Sequence, residues 1–504
     1  MEENMEILKP YINGRFIESK TEKYMPIYNP STGEVIAQTP CCTVDEVELA
    51  ISSAKKAFVS WSNTPVQKRV EVLYAFRDLL IKNIDDLTYI LSRENGKNWD
   101  EAKGDILKVK EPVEIACGAP TMMMGESLMN VTPGFDTTLY REPLGVFAGI
   151  APFNFPAMIP MGWMMPMCIA TGNTLVLKAA SMCPMTSLKM VELLEEAGLP
   201  AGVVNVVTCS RNESELFLSH PDVKGVTLVG STEVGLHIYT EAAKHGKRVQ
   251  CLCEAKNHAL VLEDAPIART AAGIINSSFG CAGERCMALP VVVVQESIAD
   301  QLVAEIVKQV SKKKVGPAYD KSTDLGPVVT ASHKKFVCDW IQKGIDEGAT
   351  LVLDGRDIVV PGYENGFYVG HTILDHVTPD MTVGDREIFG PVLCIKRVKD
   401  FEEGIELMNS NPFANGSVIF TQNGYYAREF AKRTHGGMVG VNVGIPVPSG
   451  VFPFAGHKNS FFGDLHCLGK DGLRFYTESK CVTTRWFDEE EMQKEKVSTW
   501  DGAL

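Results

Sequence analysis

At 504 residues the chain exceeds what one hydrophobic core normally holds, so two or three domains are expected. Its 45% hydrophobic and 22% charged residues suit a globular protein and argue against disorder, collagen-like repeats and membrane residence. A formal net charge of -14 argues against a nucleic-acid partner, which would want a basic face, but leaves room for one anionic ligand at a helix N-terminus.

The N-terminal MEENMEILKP has no basic region leading into an apolar one; no secretory signal is expected, and the cytoplasm is the default location. Thr43 and Glu46 form a capping-box signature ahead of Val47, Ala50, Ile51, Ala54 and Phe58, which is helical spacing. Helical runs follow from Val66 to Lys82 and from Ile84 into Glu94. From about Arg141 the pattern changes. Strand-like runs (Val146 to Ala151, Thr174 to Lys178, Val203 to Val207, Val226 to Val229) alternate with helical ones (Thr186 to Ala197, Val234 to His245). That is the rhythm of a doubly wound parallel sheet. The most apolar stretch, Met158 to Gly172, is interrupted by Pro160, Gly162 and Pro166 and is too short to span a bilayer.

From Asp264 a second α/β pattern begins. Helices are expected at Ala268 to Gly280, Ile298 to Lys313, Phe401 to Asn409 and Ala427 to Arg433. Strands are expected at Val291 to Val294, Leu351 to Leu353, Val392 to Val398, Ser417 to Phe420 and Gly440 to Val443. Phe487 to Leu504 reads as a surface tail. The fourteen cysteines are dispersed with no CxxC pair, which points to reduced, mostly buried thiols. Cys251 and Cys253 read as strand residues with side chains on opposite faces.

Three features carry chemistry. The strand ending at Val229 runs into Gly230-Ser231-Thr232-Glu233-Val234-Gly235 and then a helix, a junction whose free N–H groups suit a pyrophosphate. It lacks the GxGxxG fingerprint, and alone it reads more readily as an ordinary strand-to-helix turn. Lys178 ends another strand of that sheet, where simple solvation is the plainer reading. Cys286, with Arg285 beside it and small residues upstream, sits where a cationic neighbour can favour thiolate. On these residues alone, an inert buried cysteine is the commoner outcome.

Taken together, the segments resemble the aldehyde dehydrogenase superfamily over essentially the whole chain. Five carry the match in order: Ala151-Pro-Phe-Asn154-Phe-Pro, Gly172-Asn-Thr-Leu-Val-Leu-Lys178, Val229-Gly-Ser-Thr-x-x-Gly235, Gly283-Glu-Arg-Cys286 and Glu387-Ile-Phe389-Gly-Pro-Val. Further segments resemble its CoA-acylating methylmalonate-semialdehyde dehydrogenase subgroup, among them Ala255-Lys-Asn-His258, Arg285-Cys-Met-Ala-Leu289 and Gly362-Tyr-Glu-Asn-Gly366. The resemblance implies an α/β fold: a Rossmann-type cofactor domain (1–120 and 143–259), an α/β catalytic domain (260–453) and a small β oligomerisation element (121–142 and 454–486), with 487–504 as a tail. It also implies a homodimer or homotetramer, a small-molecule aldehyde substrate and NAD or NADP as cofactor. The strand formers between Lys470 and Trp486 suit an edge that pairs with a second subunit.

The resemblance assigns Cys286 as nucleophile and Asn154, with the Cys286 backbone N–H, as donors to the oxyanion of the thiohemiacetal. Glu387 and Phe389 match the pair that positions the nicotinamide riboside. Lys178 and Ser231 match contacts to the adenosine ribose and pyrophosphate. Ala151, Phe153, Ser181, Gly230 and Val234 complete the expected cofactor contacts.

Three departures matter. Hydrolytic members activate water with a glutamate in Glu-Leu-Gly-Gly-Lys; aligned on Lys256, that position is Leu252, and Glu254 falls two places downstream, about 7 Å along a strand. Loss of the base suits a thiol as second nucleophile, because a thiol of pKa about 8.5 is partly ionised at neutral pH whereas water, at about 15.7, is not. Coenzyme A is therefore the expected co-substrate. Second, the subgroup holds its substrate carboxylate with two arginines; Arg285 matches one, but the other aligns with Lys108, which keeps the charge, loses the bidentate fork and reads equally as a solvated helix residue. Third, Lys178-Ala-Ala-Ser181 replaces the Lys-Pro-Ser-Glu of many NAD-preferring members, so no carboxylate repels a 2′-phosphate and NADP tolerance is expected. Two other readings stand beside CoA acylation: a hydrolytic dehydrogenase using Glu387 or Glu254 as base, and a catalytically silent relative, for which the set Cys286, Asn154, Glu387 and Phe389 has no chemical use.

Overall fold

The computed structural model describes residues 5–494. The first four residues of the N-terminal reading and residues 495–504 of the expected tail lie outside the described residues; 487–494 are largely exposed. Five parallel strands form the first sheet: β1 (Val146–Ile150), β2 (Thr174–Lys178), β3 (Val204–Val207), β4 (Val223–Val229) and β5 (Arg248–Leu252). Their order is β5-β4-β1-β2-β3, with Phe461–Gly463 added antiparallel on β5. That last strand comes from within 454–486, the stretch expected to mediate oligomerisation.

These strands are near-continuous apolar runs because helices cover both faces. Alternation sorts the two layers: Phe147, Leu175 and Leu177 join one core, Val146, Ala148 and Val176 the other. Winding reverses between β1 and β4, so their carboxyl ends open onto a crevice, the place where such sheets bind ligands.

The second sheet holds β6 (His258–Val261), β7 (Val291–Gln295), β8 (Thr350–Leu353), β9 (Thr372–Asp375), β10 (Val392–Val398), β11 (Gly416–Phe420) and β12 (Met438–Val441). The order is β8-β9-β10-β7-β6-β11-β12, parallel except for β8 on β9. A separate antiparallel sheet joins Ser127–Thr132, Phe135–Pro143 and Thr477–Arg485, with the last strand on its outer edge and mostly exposed. Among the described residues no helix is long and apolar enough to cross a membrane.

The capping box forms as read: the Glu46 carboxylate accepts the Thr43 N–H at 2.7 Å while Thr43 Oγ1 accepts the Glu46 N–H at 3.4 Å. Cys251 and Cys253 do not face opposite ways. Both lie against Gly235, because residues two apart in an extended chain share a face. Two long helices lie outside the expected elements, α1 (Trp99–Ala116) and, further on, Ala331–Asp346. Met158–Met164 is a buried π-helical turn packed across α1, so the proline-interrupted stretch is core.

Candidate active site

Cys286 stands on a strained loop between helix α2 (Ile267–Phe279) and β7. Three successive residues before it, Cys281, Ala282 and Gly283, adopt left-handed φ values of 52°, 51° and 75°. For the first two this is a conformation that L-residues populate rarely. Gly283 has a second constraint: a Cβ there would lie 2.1 Å from the Gly390 carbonyl oxygen. The loop is held from the second sheet. Asn257 Nδ2, just before β6, donates to the carbonyls of Cys286 (3.0 Å) and Ala288 (2.8 Å). Asn415 Nδ2, just before β11, donates to the Cys286 carbonyl at 3.3 Å.

The half-buried Cys286 side chain packs on an apolar cluster that includes Leu252 and Met287, and it lines a cavity of about 680 Å³. Arg285, Lys108, Glu101, Phe155 and Trp163 line the same cavity. Burial pushes the Cys286 thiol up to about 12, and the neighbouring Glu387 charge adds to this; the Met287 and Cys286 backbone N–H groups pull the other way. Glu387, on the segment before β10, accepts the Ala255 N–H at 3.1 Å and is pushed up to about 8 by burial. At pH 9 its carboxylate opposes formation of the Cys286 thiolate. Glu387→Gln removes that repulsion, so Cys286 is expected to react with iodoacetamide at pH 9 about three- to tenfold faster than in the wild type, read by peptide mass spectrometry. Slower alkylation would instead make Glu387 the group that takes the thiol proton.

Asn154 follows β1 and is buried; its Nδ2 donates to the Glu284 carbonyl at 3.0 Å, two residues before Cys286. The amide thus reaches the nucleophile loop and keeps a second N–H for another acceptor. The Ala151 N–H donates to the Lys178 carbonyl at 3.0 Å, tying β1 to the end of β2. Phe153 meets Phe389 edge to face, centroids 5.8 Å apart, and its carbonyl accepts from Asn95 Nδ2 at 2.9 Å. Phe389 holds a left-handed φ of 58°, with its carbonyl bonded to His333 Nε2 at 2.7 Å.

At the β4 end, the Gly230 N–H donates to the Leu252 carbonyl at 3.0 Å, and Ser231 Oγ caps the helix Thr232–Lys244 by accepting the Val234 N–H at 3.4 Å. A Cβ at Gly235 would lie 2.3 Å from Cys253 Sγ, so glycine sets how closely this helix seats on the sheet. Lys178 and Ser181 are half-buried at and just beyond the end of β2. The Glu254 carboxylate accepts the Thr232 N–H at 3.4 Å at the start of that helix, whereas Leu252 is buried in the apolar cluster against which Cys286 packs.

The structure therefore gathers the expected residues into two groups. Cys286, Arg285 and Lys108 share the cavity, with Asn154 and Glu387 at the nucleophile loop. Ala151, Phe153, Lys178, Ser181, Gly230, Ser231 and Val234 lie around the carboxyl ends of the first sheet. The supporting residues Asn95, Glu101, Asn257, Glu284, His333 and Asn415 escaped sequence reasoning; Asn257 and Glu284 sat inside quoted segments without a role.

Comparison with known proteins agrees with this geometry. The profile of the aldehyde dehydrogenase family matches residues 16–482. The chain is 48% identical to malonate-semialdehyde dehydrogenase 3 of Bacillus cereus over 482 residues, 95% of this chain and 98% of that protein. It is 46% identical to malonate-semialdehyde dehydrogenase 1 of Geobacillus thermodenitrificans, over 96% of this chain and all of that one. Among solved structures, the methylmalonate-semialdehyde dehydrogenase of Oceanimonas doudoroffii superposes with a TM-score of 0.95 at 43% identity, covering 97% of this chain and 100% of that one. A structure from Sinorhizobium meliloti, assigned to the same activity and complexed with NAD, gives 0.95 at 41% identity, covering 97% and 99%. With 467 of its residues matched in order and the nucleophile loop, amide and crevice in place, the chain belongs to the aldehyde dehydrogenase family.

Proposed function

We propose that this chain oxidises a carboxylated semialdehyde, such as malonate or methylmalonate semialdehyde, to an acyl-CoA through a thioester on Cys286, with NAD or NADP as the oxidant. The observation that carries the CoA-acylating half is Leu252, 5% exposed in the apolar cluster that Cys286 touches, where hydrolytic relatives place a water-activating glutamate. The relatives' names support the substrate class.

The crevice fits a dinucleotide. The helix start at Ser231 offers a positive dipole end for a pyrophosphate, with its Thr232 and Val234 N–H groups held at 3.4 Å by Glu254 and Ser231. Glu387 offers a carboxyl that can accept or donate to ribose hydroxyls, since burial places it near 8. Lys178 and Ser181 border the adenosine end, where Ser181 stands in place of the carboxylate that many NAD-preferring members carry. When bound, the nicotinamide ring supplies the hydride acceptor.

The chain's own residues do the rest. The Cys286 thiolate adds to the aldehyde carbonyl, and the free Asn154 N–H and the Cys286 backbone N–H receive the oxyanion. Oxidation of this adduct leaves an acyl thioester on Cys286. With Leu252 in place of the glutamate that activates water in hydrolytic relatives, the thiolate of CoA takes the acyl group. In this reading 1–120 with 143–259 binds the cofactor and 260–453 bears the nucleophile. Residues 121–142 with 454–486 join subunits into a homodimer or homotetramer in the cytoplasm.

A hydrolytic route has one specific point in its favour, the Glu387 carboxyl poised near 8 as a base. Leu252→Glu separates the two. It is expected to confer CoA-independent turnover at least about tenfold above the wild type, measured as steady-state reduced cofactor without CoA. A variant that stays CoA-dependent with no added hydrolysis would overturn the meaning given to Leu252.

A further inference from the structure

Every nitrogen of the Arg285 guanidinium is already engaged. Nε donates to Cys281 Sγ at 3.1 Å, Nη1 to the Asn276 carbonyl at 3.3 Å and Nη2 to Glu101 Oε1 at 3.2 Å. The Arg285 and Glu101 side chains are only 16% and 14% exposed, so solvent screens the pair poorly. The same Glu101 oxygen accepts the Cys281 backbone N–H at 2.7 Å, which fixes the carboxylate against the turn that presents Cys286.

The rest of the wall gives Arg285 no help. Its carboxylates are Asp100, Glu101, Asp105 and Glu111, against two cations, Lys108 and Arg285. Asp105 is taken up by Lys97 at 2.7 Å. Lys108 lies 3.4 Å from Glu111, whose other oxygen accepts from Ser449 Oγ (2.7 Å) and the Gly450 N–H (3.0 Å). The Lys108 side chain is 58% exposed, so its pair is weak and exchangeable. Of the two cations that line the cavity, Arg285 is the one whose carboxylate partner is largely shielded from solvent.

A substrate carboxylate that reaches Arg285 still finds spare N–H donors, because a guanidinium has five. It also meets the Glu101 charge on the same group, at a distance where like charges oppose each other strongly. A neutral aldehyde of the same length meets no such opposition.

We infer that Glu101 is a specificity-determining residue that tempers the attraction of Arg285 for carboxylated aldehydes and so widens the cavity's range toward neutral ones. The inference rests on the substrate class proposed above. Its test is the ratio of kcat/KM for malonate semialdehyde to kcat/KM for propanal, measured with saturating cofactor and CoA. Four proteins are compared: wild type, Glu101→Gln, Arg285→Gln and the double variant. Glutamine keeps an oxygen for the Cys281 N–H and removes only the charge.

In Glu101→Gln the ratio is expected to rise at least about fivefold, through a lower KM for malonate semialdehyde. In the Arg285→Gln background the same change is expected to leave the ratio where it was. A purely structural role would move both substrates together. An unchanged or lower ratio in Glu101→Gln, or an equal rise in both backgrounds, overturns the inference. If Glu101→Gln does not fold, Glu101→Ala is read the same way. The wild-type ratio is a separate readout: a value below one would sink the substrate class, whatever Glu101 does.

Discussion

Cys286→Ser is expected to lower kcat by at least about a thousandfold while leaving the fold intact. A serine hydroxyl in this position has no base able to ionise it, and the flanking N–H groups that ease thiolate formation are too weak to ionise an alcohol. The exchange nearly conserves volume at a half-buried site, so the stability cost is about 1 kcal/mol. Steady-state kinetics with each substrate, beside a thermal melt, checks both halves. Retained activity would move the nucleophile to another thiol of the same cavity, for which Cys281 is placed.

Asn154→Ala is expected to lower kcat by about 10² to 10³ with a much smaller change in KM, the signature of a donor used only when the oxyanion forms. The variant also leaves the Glu284 carbonyl without its partner, a loss of about 1 kcal/mol that a melt would report. Alkylation of Cys286 at its wild-type rate would show that the nucleophile is still in place. If KM rises and kcat holds, Asn154 serves ground-state binding rather than the oxyanion.

Much of the framework was legible because burial leaves plain marks in sequence. Thr174–Lys178 and Val392–Val398 form where the apolar runs predict, and Val66–Lys82 matches its helical run residue for residue. Helix α1 was missed although Ala102, Ile106, Val109 and Val113 keep helical spacing, because Pro112 inside it reads as a break and charged residues crowd its exposed face. Met158–Met164 is buried all round, so it has no polar face and no period to read.

The site was legible where residue type and family order coincide, as at Cys286, Asn154 and Glu387. Its supports were not. Asn415 reaches the Cys286 carbonyl across 129 residues of chain, and nothing near Asn415 announces that bond. Glu101 is a similar case: its role is set by the Cys281 turn and Arg285, which lie 180 and 184 residues away. Lys108 lines the same cavity as Cys286, but its engagement by Glu111 depends on a loop that closes from Ser449 and Gly450.

The most direct test of CoA acylation is stopped-flow formation of reduced cofactor from malonate semialdehyde, with and without CoA, in NAD and in NADP. A thioester that only CoA resolves predicts a burst of about one equivalent per site without CoA, then a stall, and sustained turnover once CoA is added. Equal steady turnover in the absence of CoA would contradict it and make this family member a hydrolytic enzyme.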